Sequence, residues 1–122
     1  DRLLTMSTSE IATVLAWNDA LSEKNLGTLA DLSSDDIEIG DAAGAAQGLD
    51  ALREWARTFP STITVGRLFV HDGTVVAEQT LGDGRTVASA FRVVHDQVTS
   101  VFRHDDLAAA LAATDLTEDD QE

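Results

Sequence analysis

Four residues spaced along a run of predicted hairpins are the first whose types could do chemistry. Asp72-Gly73 and Asp83-Gly84 are dipeptides suited to two-residue β-turns, because both central positions of such turns need positive φ. If each forms one, Arg67 lies opposite Glu78 and Glu78 lies opposite Ser89. The three then share a sheet face with Val65, Phe69, Val76, Thr80 and Phe91. Turned inward, Glu78 is a candidate acid or base and Arg67 its partner, since an unpaired buried carboxylate is very costly. Turned outward, the same two residues are a cross-strand ion pair of small energetic worth. His104, on the next strand, is a further candidate acid/base. His71 and His95 fall in turns and should be solvated. The three histidines show no metal-ligand spacing, so no metal is expected. The glycine-rich segment from Asp41 to Gly48 lacks the lysine of a phosphate loop. Trp17, Trp55, Phe59, Phe69, Phe91 and Phe102 are mainly core, each contributing about 1.5–3 kcal/mol on burial, and some of them are expected to line a cavity as well.

The elements that must position these residues can be read from periodicity. Ser7-Thr8-Ser9-Glu10 has capping-box spacing. Ile11, Val14, Leu15, Asn18, Leu21 and Ser22 then recur at helical intervals, predicting a helix over about Ser9 to Lys24. A short helix carries Leu26, Leu29 and Leu32. Asp36 to Gly40 alternates as a strand, and Asp41 to Gly48 reads as a loop. A third helix holds Leu52, Trp55, Ala56 and Phe59 on its inner side, and Pro60 stops it. Strands are predicted over Thr62–Val70, Val75–Leu81, Thr86–Val94 and Val98–His104. Asp105-Asp106 then caps a helix over Leu107 to Ala113. Helices segregated from a meander give an α+β class. The sheet must be strongly bent, wrapping as a cone around the N-terminal helices and leaving a hydrophobic pocket at its open end.

The composition narrows the functions. The chain has 122 residues, enough for one domain, and a formal charge of −14. Such a surface repels phosphate backbones and anionic lipid, so neither nucleic acid nor a membrane is an expected partner. The chain has no cysteine, no apolar run of membrane-spanning length and no secretion leader, which together point to the cytoplasm. Residues 1–6 are read as an N-terminal extension, 7–113 as the domain, and 114–122 as an acidic, disordered tail with little to bury.

Gly48-Leu49-Asp50-Ala51-Leu52 at the third helix, Phe91-Arg92-Val93-Val94-His95-Asp96-Gln97-Val98 at the last hairpin, and Phe102-Arg103-His104-Asp105-Asp106-Leu107 at the end form a series. In this order, over about Ser7 to Ala112, the chain resembles the nuclear transport factor 2-like (cystatin-like) superfamily and within it the SnoaL-like group. That superfamily hosts isomerases, dehydratases, epoxide hydrolases, cyclases and non-enzymatic binding domains, so the resemblance implies a fold and not one reaction. By comparison with its ketosteroid isomerases, Trp17 stands at the place of the oxyanion-hole tyrosine, Asp41 at that of the catalytic aspartate, and Ser89 at that of the second oxyanion donor. The chain contains no tyrosine, which argues against steroid isomerisation itself. The acid of the epoxide hydrolases falls on Arg103, which argues against that reaction too.

Two functions fit these residues. In the first, a small hydrophobic molecule occupies the cone. Asp41, with Glu78 as a further candidate, abstracts a proton next to a carbonyl, while Trp17, Ser89 or Arg103 steadies the oxyanion. In the second, the domain binds a ligand without reaction or serves as a dimerisation module. A homodimer through the convex sheet face is expected in either case, with Leu68, Val70, Ala77, Ala88, Ala90 and Val101 as its contact surface. No cofactor is implied.

Overall fold

A computed structural model describes residues 2–41, 43–59 and 62–122, with side chains from Ser9 onward. The chain runs α1 (Arg2–Ser22), α2 (Leu26–Asp31), β1 (Ser33–Asp41), β2 (Gly44–Gln47), α3 (Leu49–Thr58), β3 (Ile63–His71), β4 (Thr74–Leu81), β5 (Thr86–Val94), β6 (Gln97–His104) and α4 (Leu107–Thr114). It ends in a short 3-10 turn, Glu118–Asp120. The α+β class with segregated helices is as expected. The six strands form one curved, open sheet in the order β2-β1-β6-β5-β4-β3. All neighbours are antiparallel except β1 and β6, which run parallel. The meander returns its last strand alongside the first, so the sheet is mixed rather than purely antiparallel.

The helical core sits on the inner face of the sheet. Val14, Trp17 and Leu21 of α1, Leu29 of α2, and Leu52 and Ala56 of α3 pack against Ile37, Ile39, Val70, Val75, Ala77, Phe91, Val93, Val98 and Val101. Helix α1 is longer than its periodicity predicts. Ser7 to Glu10 lie inside it rather than at its start, because Leu3, Leu4 and Met6, which the sequence reading set apart as an extension, are good helix formers. At the other end, Lys24 adopts a left-handed conformation with φ 59° and closes the helix. Helix α3 ends at Thr58, with Phe59 extended just beyond it rather than on the helix as expected, and Pro60, expected to stop it, lies outside the described residues.

The glycine/alanine segment after β1, expected as a loop, contains β2. Gly40 lies opposite Ala45. A Cβ at Gly40 would stand 2.9 Å from the Ala45 Cβ and from the Gly44 carbonyl, so only glycine allows strands of such small residues to close this tightly.

The turns decide which side chains face the helices. Asp72-Gly73 forms the expected two-residue turn, with His71 opposite Thr74. The next turn has three residues, Gly82-Asp83-Gly84, since the Leu81 N–H donates to the Arg85 carbonyl and Gly84 takes φ 90°. Ser89 therefore pairs with Ala77 and Glu78 pairs with Ala88. One extra residue in the turn moves Glu78 to the face opposite Ser89. A bulge at Gly66-Arg67 adds a second offset, placing Val65 opposite Gln79.

The outer face is partly covered from within the chain. Helix α4 lies over β4, β5 and β6. Ala110, Leu107 and Leu111 of α4, together with Leu116, pack on Phe69, Val76, Ala88 and Ala90. Of the six residues expected to form a dimer contact, Leu68, Val70, Ala77 and Val101 belong to the inner core, and Ala88 and Ala90 lie under α4. The residues after α4, expected to be disordered, fold back onto β3. Leu116 is buried, Gln121 bridges Phe69, and the Glu122 N–H donates to the Leu68 carbonyl at 2.8 Å. The acidic segment has nothing apolar to bury. It is held instead by the leucine before it and by backbone bonds that cover the open edge of β3.

Candidate functional site

A row of aromatic rings runs through the inner layer. Phe91 meets Trp17 edge-on at 5.4 Å between centroids, Trp17 lies 6.1 Å from Trp55, and Trp55 lies 5.3 Å from Phe59. Such tilted and edge-on contacts suit the ring quadrupoles. Lys24 pins the far end. Its Nζ donates to the Ala56 carbonyl at 2.9 Å and to the Phe59 carbonyl, so a cation closes the C-terminus of α3, and the ammonium stands 5.6 Å from the Phe59 ring centre.

Arg103 lies over the same end of the row. It projects from the inner face of β6, and its guanidinium carbon is 4.8 Å from the Phe59 ring centre and 5.8 Å from that of Trp55. Both distances suit cation–π attraction. The side chain is half-buried, and its Nε is fully buried with no hydrogen-bond partner among the described residues. Among the described residues no carboxylate lies within ion-pair distance of it. Burial lowers its pKa, the charge of Asp41 opposes that, and Arg85 nearby adds to it. The guanidinium nevertheless stays charged, as arginine does throughout proteins.

Beneath Arg103 runs a buried polar chain that crosses from helix to sheet. Asn18 Nδ2 donates to the Val14 carbonyl at 2.8 Å. Gln79 Nε2 donates to Asn18 Oδ1 at 2.7 Å, and the Ser89 hydroxyl donates to Gln79 Oε1 at 2.7 Å. Asn18 and Gln79 were not picked out as site residues from the sequence. The signal was there: each is an amide in an otherwise apolar stripe, Asn18 between Val14 and Leu21, and Gln79 between Ala77 and Leu81.

Two of the three residues proposed as oxyanion donors, Trp17 and Ser89, are already engaged. The Trp17 indole N–H donates to Ser33 Oγ at 3.0 Å, and Ser33 in turn donates to the Leu29 carbonyl. Trp17, Gln79 and Ser89 are each 1% exposed and Phe91 is 0%, so the deep half of the inner layer is filled by side chains. Accessible surface begins at Trp55, Arg103 and Asp41. Asp41 is exposed at the end of β1, and its Oδ1 accepts the Ala43 N–H at 2.8 Å.

The remaining candidates lie on the other face. Arg67 Nε and Nη2 donate to Glu78 Oε1 and Oε2 at 3.2 and 3.1 Å. The Arg67 side chain, by these hydrogen bonds, holds the Glu78 carboxyl below its ordinary pKa. They make the outward ion pair, because the three-residue turn turned Glu78 away from the helices. Phe69 is buried beneath α4. His104 pairs with Ala88 of that outer face, and its ring lies 5.0 Å from that of Phe102. Phe102 is 40% exposed. Glu78, Arg67, Phe69, Phe102 and His104 are therefore no part of an inner site. Trp17, Trp55, Phe59, Ser89, Phe91 and Arg103 converge there, with Asp41 at its rim.

A family model of the SnoaL-like domain matches residues 14–112. The chain belongs to the SnoaL-like family. Solved structures of similar fold agree with this placement. A proposed polyketide cyclase from Sinorhizobium meliloti superposes with a TM-score of 0.71 at 15% identity, over 76% of this chain and 94% of that one. A proposed ketosteroid isomerase from Kribbella flavida gives 0.68 at 20% identity, over 79% and 76%. A protein with a ketosteroid isomerase-like fold from Catenulispora acidiphila, solved in complex with trimethylamine, gives 0.67 at 21% identity, over 88% and 95%. At these identities the likeness establishes the SnoaL-like fold and leaves the chemistry to the residues. A comparison with curated protein sequences finds no match. No helix among the described residues is long and apolar enough to cross a membrane.

Proposed function

We propose that this SnoaL-like domain binds a small, flat, apolar molecule through an anionic or strongly polarised oxygen held by Arg103. The observation that carries the reading is a half-buried guanidinium lying over Phe59 and Trp55 with no carboxylate among the described residues within ion-pair distance. The partly accessible Trp55 offers apolar area at the mouth of the site, and a cation beside it with no carboxylate partner among the described residues has binding energy to give to an anion. An amine of the trimethylamine type fits less well here, because Arg103 already occupies the electron-rich faces that would attract it. Binding is favoured over catalysis because Trp17 and Ser89 have already given their protons to protein oxygens. Proton abstraction next to a carbonyl is the narrower alternative, and Asp41 is the acid it would use. That alternative is favoured by one observation, the parallel register of β1 and β6, in which Gly40 lies opposite Phe102 and so brings Asp41 alongside Arg103.

The test is calorimetric titration with 1-naphthylacetate and, separately, 1-naphthylmethylamine. The acid should bind and the amine should not. Arg103→Met should weaken the acid by about 10- to 100-fold, the loss of a charge-assisted hydrogen bond. Preference for the amine, or an unchanged affinity in the variant, would refute the reading. Deuterium exchange next to the carbonyl of a bound aryl ketone, abolished by Asp41→Asn, would establish the catalytic alternative.

A further inference from the structure

The buried chain of Asn18, Gln79 and Ser89 has a direction fixed at one end. The Val14 carbonyl can only accept, so Asn18 must turn its nitrogen toward it and its oxygen toward Gln79. Gln79 must then donate through its nitrogen, which leaves its oxygen to receive the only proton of Ser89. Reversing Asn18 would break the bond at the helix, and reversing Gln79 alone would set its oxygen against the Asn18 oxygen. Ser89 Oγ is thus left with lone pairs and no hydrogen to offer, in a place where it is 1% exposed. Its partner across the β5–β6 ladder is Arg103, so the two side chains stand next to each other on the inner face. Arg103 Nε, a buried donor with no acceptor among the described residues, therefore has an unused acceptor across the ladder from it.

We propose that Asn18, Gln79 and Ser89 are positioning residues for Arg103, and that the ligand they select is a carboxylate. When the anion binds, the Arg103 Nε–H docks on Ser89 Oγ. This fixes the plane of the guanidinium and turns its two Nη groups toward the ligand. Two parallel N–H donors on a fixed plane match the two oxygens of a carboxylate. Without the serine acceptor, the guanidinium can rotate about its stem and holds the anion through one nitrogen. The inference rests on the ligand reading of the preceding subsection and adds the reason for a planar, two-oxygen anion.

The test uses 1-naphthylacetate with the whole chain, and follows the Arg103 Nε–H by nitrogen-15 NMR during the titration. Ser89→Ala should weaken binding about tenfold, and Ser89→Cys, which keeps the size but is a poor acceptor, should do nearly the same. In an Arg103→Met background, Ser89→Ala should have no further effect. The Nε–H resonance should move and become protected from exchange on binding in the parent protein, and not in Ser89→Ala. A role for Ser89 in packing alone predicts the same loss with or without Arg103 and an unmoved Nε–H, and either result overturns the proposal. If naphthylacetate binds but Ser89→Ala binds it equally well, the positioning role is wrong and the Arg103 reading stands. If the parent protein does not bind it, both fall.

Discussion

Replacing Gln79 by leucine should remove a large share of this domain's stability, although leucine is the more hydrophobic residue. Gln79 is 1% exposed and makes two hydrogen bonds of 2.7 Å, one to Asn18 and one from Ser89. Gln79→Leu strands the Asn18 oxygen and the Ser89 hydroxyl together, away from water. Each buried group left unsatisfied costs about 1–3 kcal/mol. Added apolar burial returns about 1 kcal/mol. The net loss is then about 1–5 kcal/mol, out of a total that for a domain of this size is only about 5–15 kcal/mol. In urea, with a slope of about 2 kcal/mol per molar, the midpoint should fall by about 0.5–2.5 M. A second substitution separates this account from simple misfit. Adding Ser89→Ala removes one stranded donor and should recover about 1–2 kcal/mol, so that the double variant is more stable than the single one. Equilibrium unfolding followed by tryptophan fluorescence reports on Trp17 and Trp55 directly. A single variant that unfolds at the parent's midpoint, or a double variant less stable than the single, would refute the reasoning that the chain is a satisfied and mutually dependent network.

Three further outcomes rest on other parts of the structure. Burial raises the Glu10 pKa above its ordinary value of 4.5, the Gly73 N–H partly opposes the shift, and Asp72 adds to it. The folded protein thus holds this proton more tightly than the unfolded chain, so Glu10 costs no stability below its ordinary pKa and progressively more as the pH rises through the folded value. Glu10→Gln should therefore raise the urea midpoint at neutral pH relative to the parent and leave it unchanged near about pH 4, and a gain confined to acid would contradict the sign. Leu116→Ala should cost about 2–4 kcal/mol, measured by the same unfolding, because Leu116 is 6% exposed within the outer cluster. A chain ending at Asp115 should also associate in sedimentation as its β3 edge is uncovered. A tail that contributes nothing to the fold would leave both measurements unchanged.

The sequence by itself determined the α+β class, the four helices and every strand but β2. Periodicities of 3.6 in α1 and α3 and of 2 in the later strands, with the Asp72-Gly73 turn, are local properties, so they can be read one element at a time. It also singled out the aromatic residues and Arg103, whose types declare themselves wherever they lie. Facing was different. Gly82-Asp83-Gly84 closes as a three-residue turn where the dipeptide alone suggests two, and that single residue moved Glu78, and with it the ion pair to Arg67, to the far side of the sheet. Only the tertiary structure could decide this, because one residue of register changes nothing in the local pattern and reverses every side chain beyond it. The same holds for Trp17 and Ser89. Their donors were legible, but the oxygens that take those protons come from Ser33 and Gln79, residues 16 and 10 positions away. Whether a polar group is free to act on a ligand or already committed depends on which neighbours the fold brings within 3 Å, and sequence spacing carries no record of that distance.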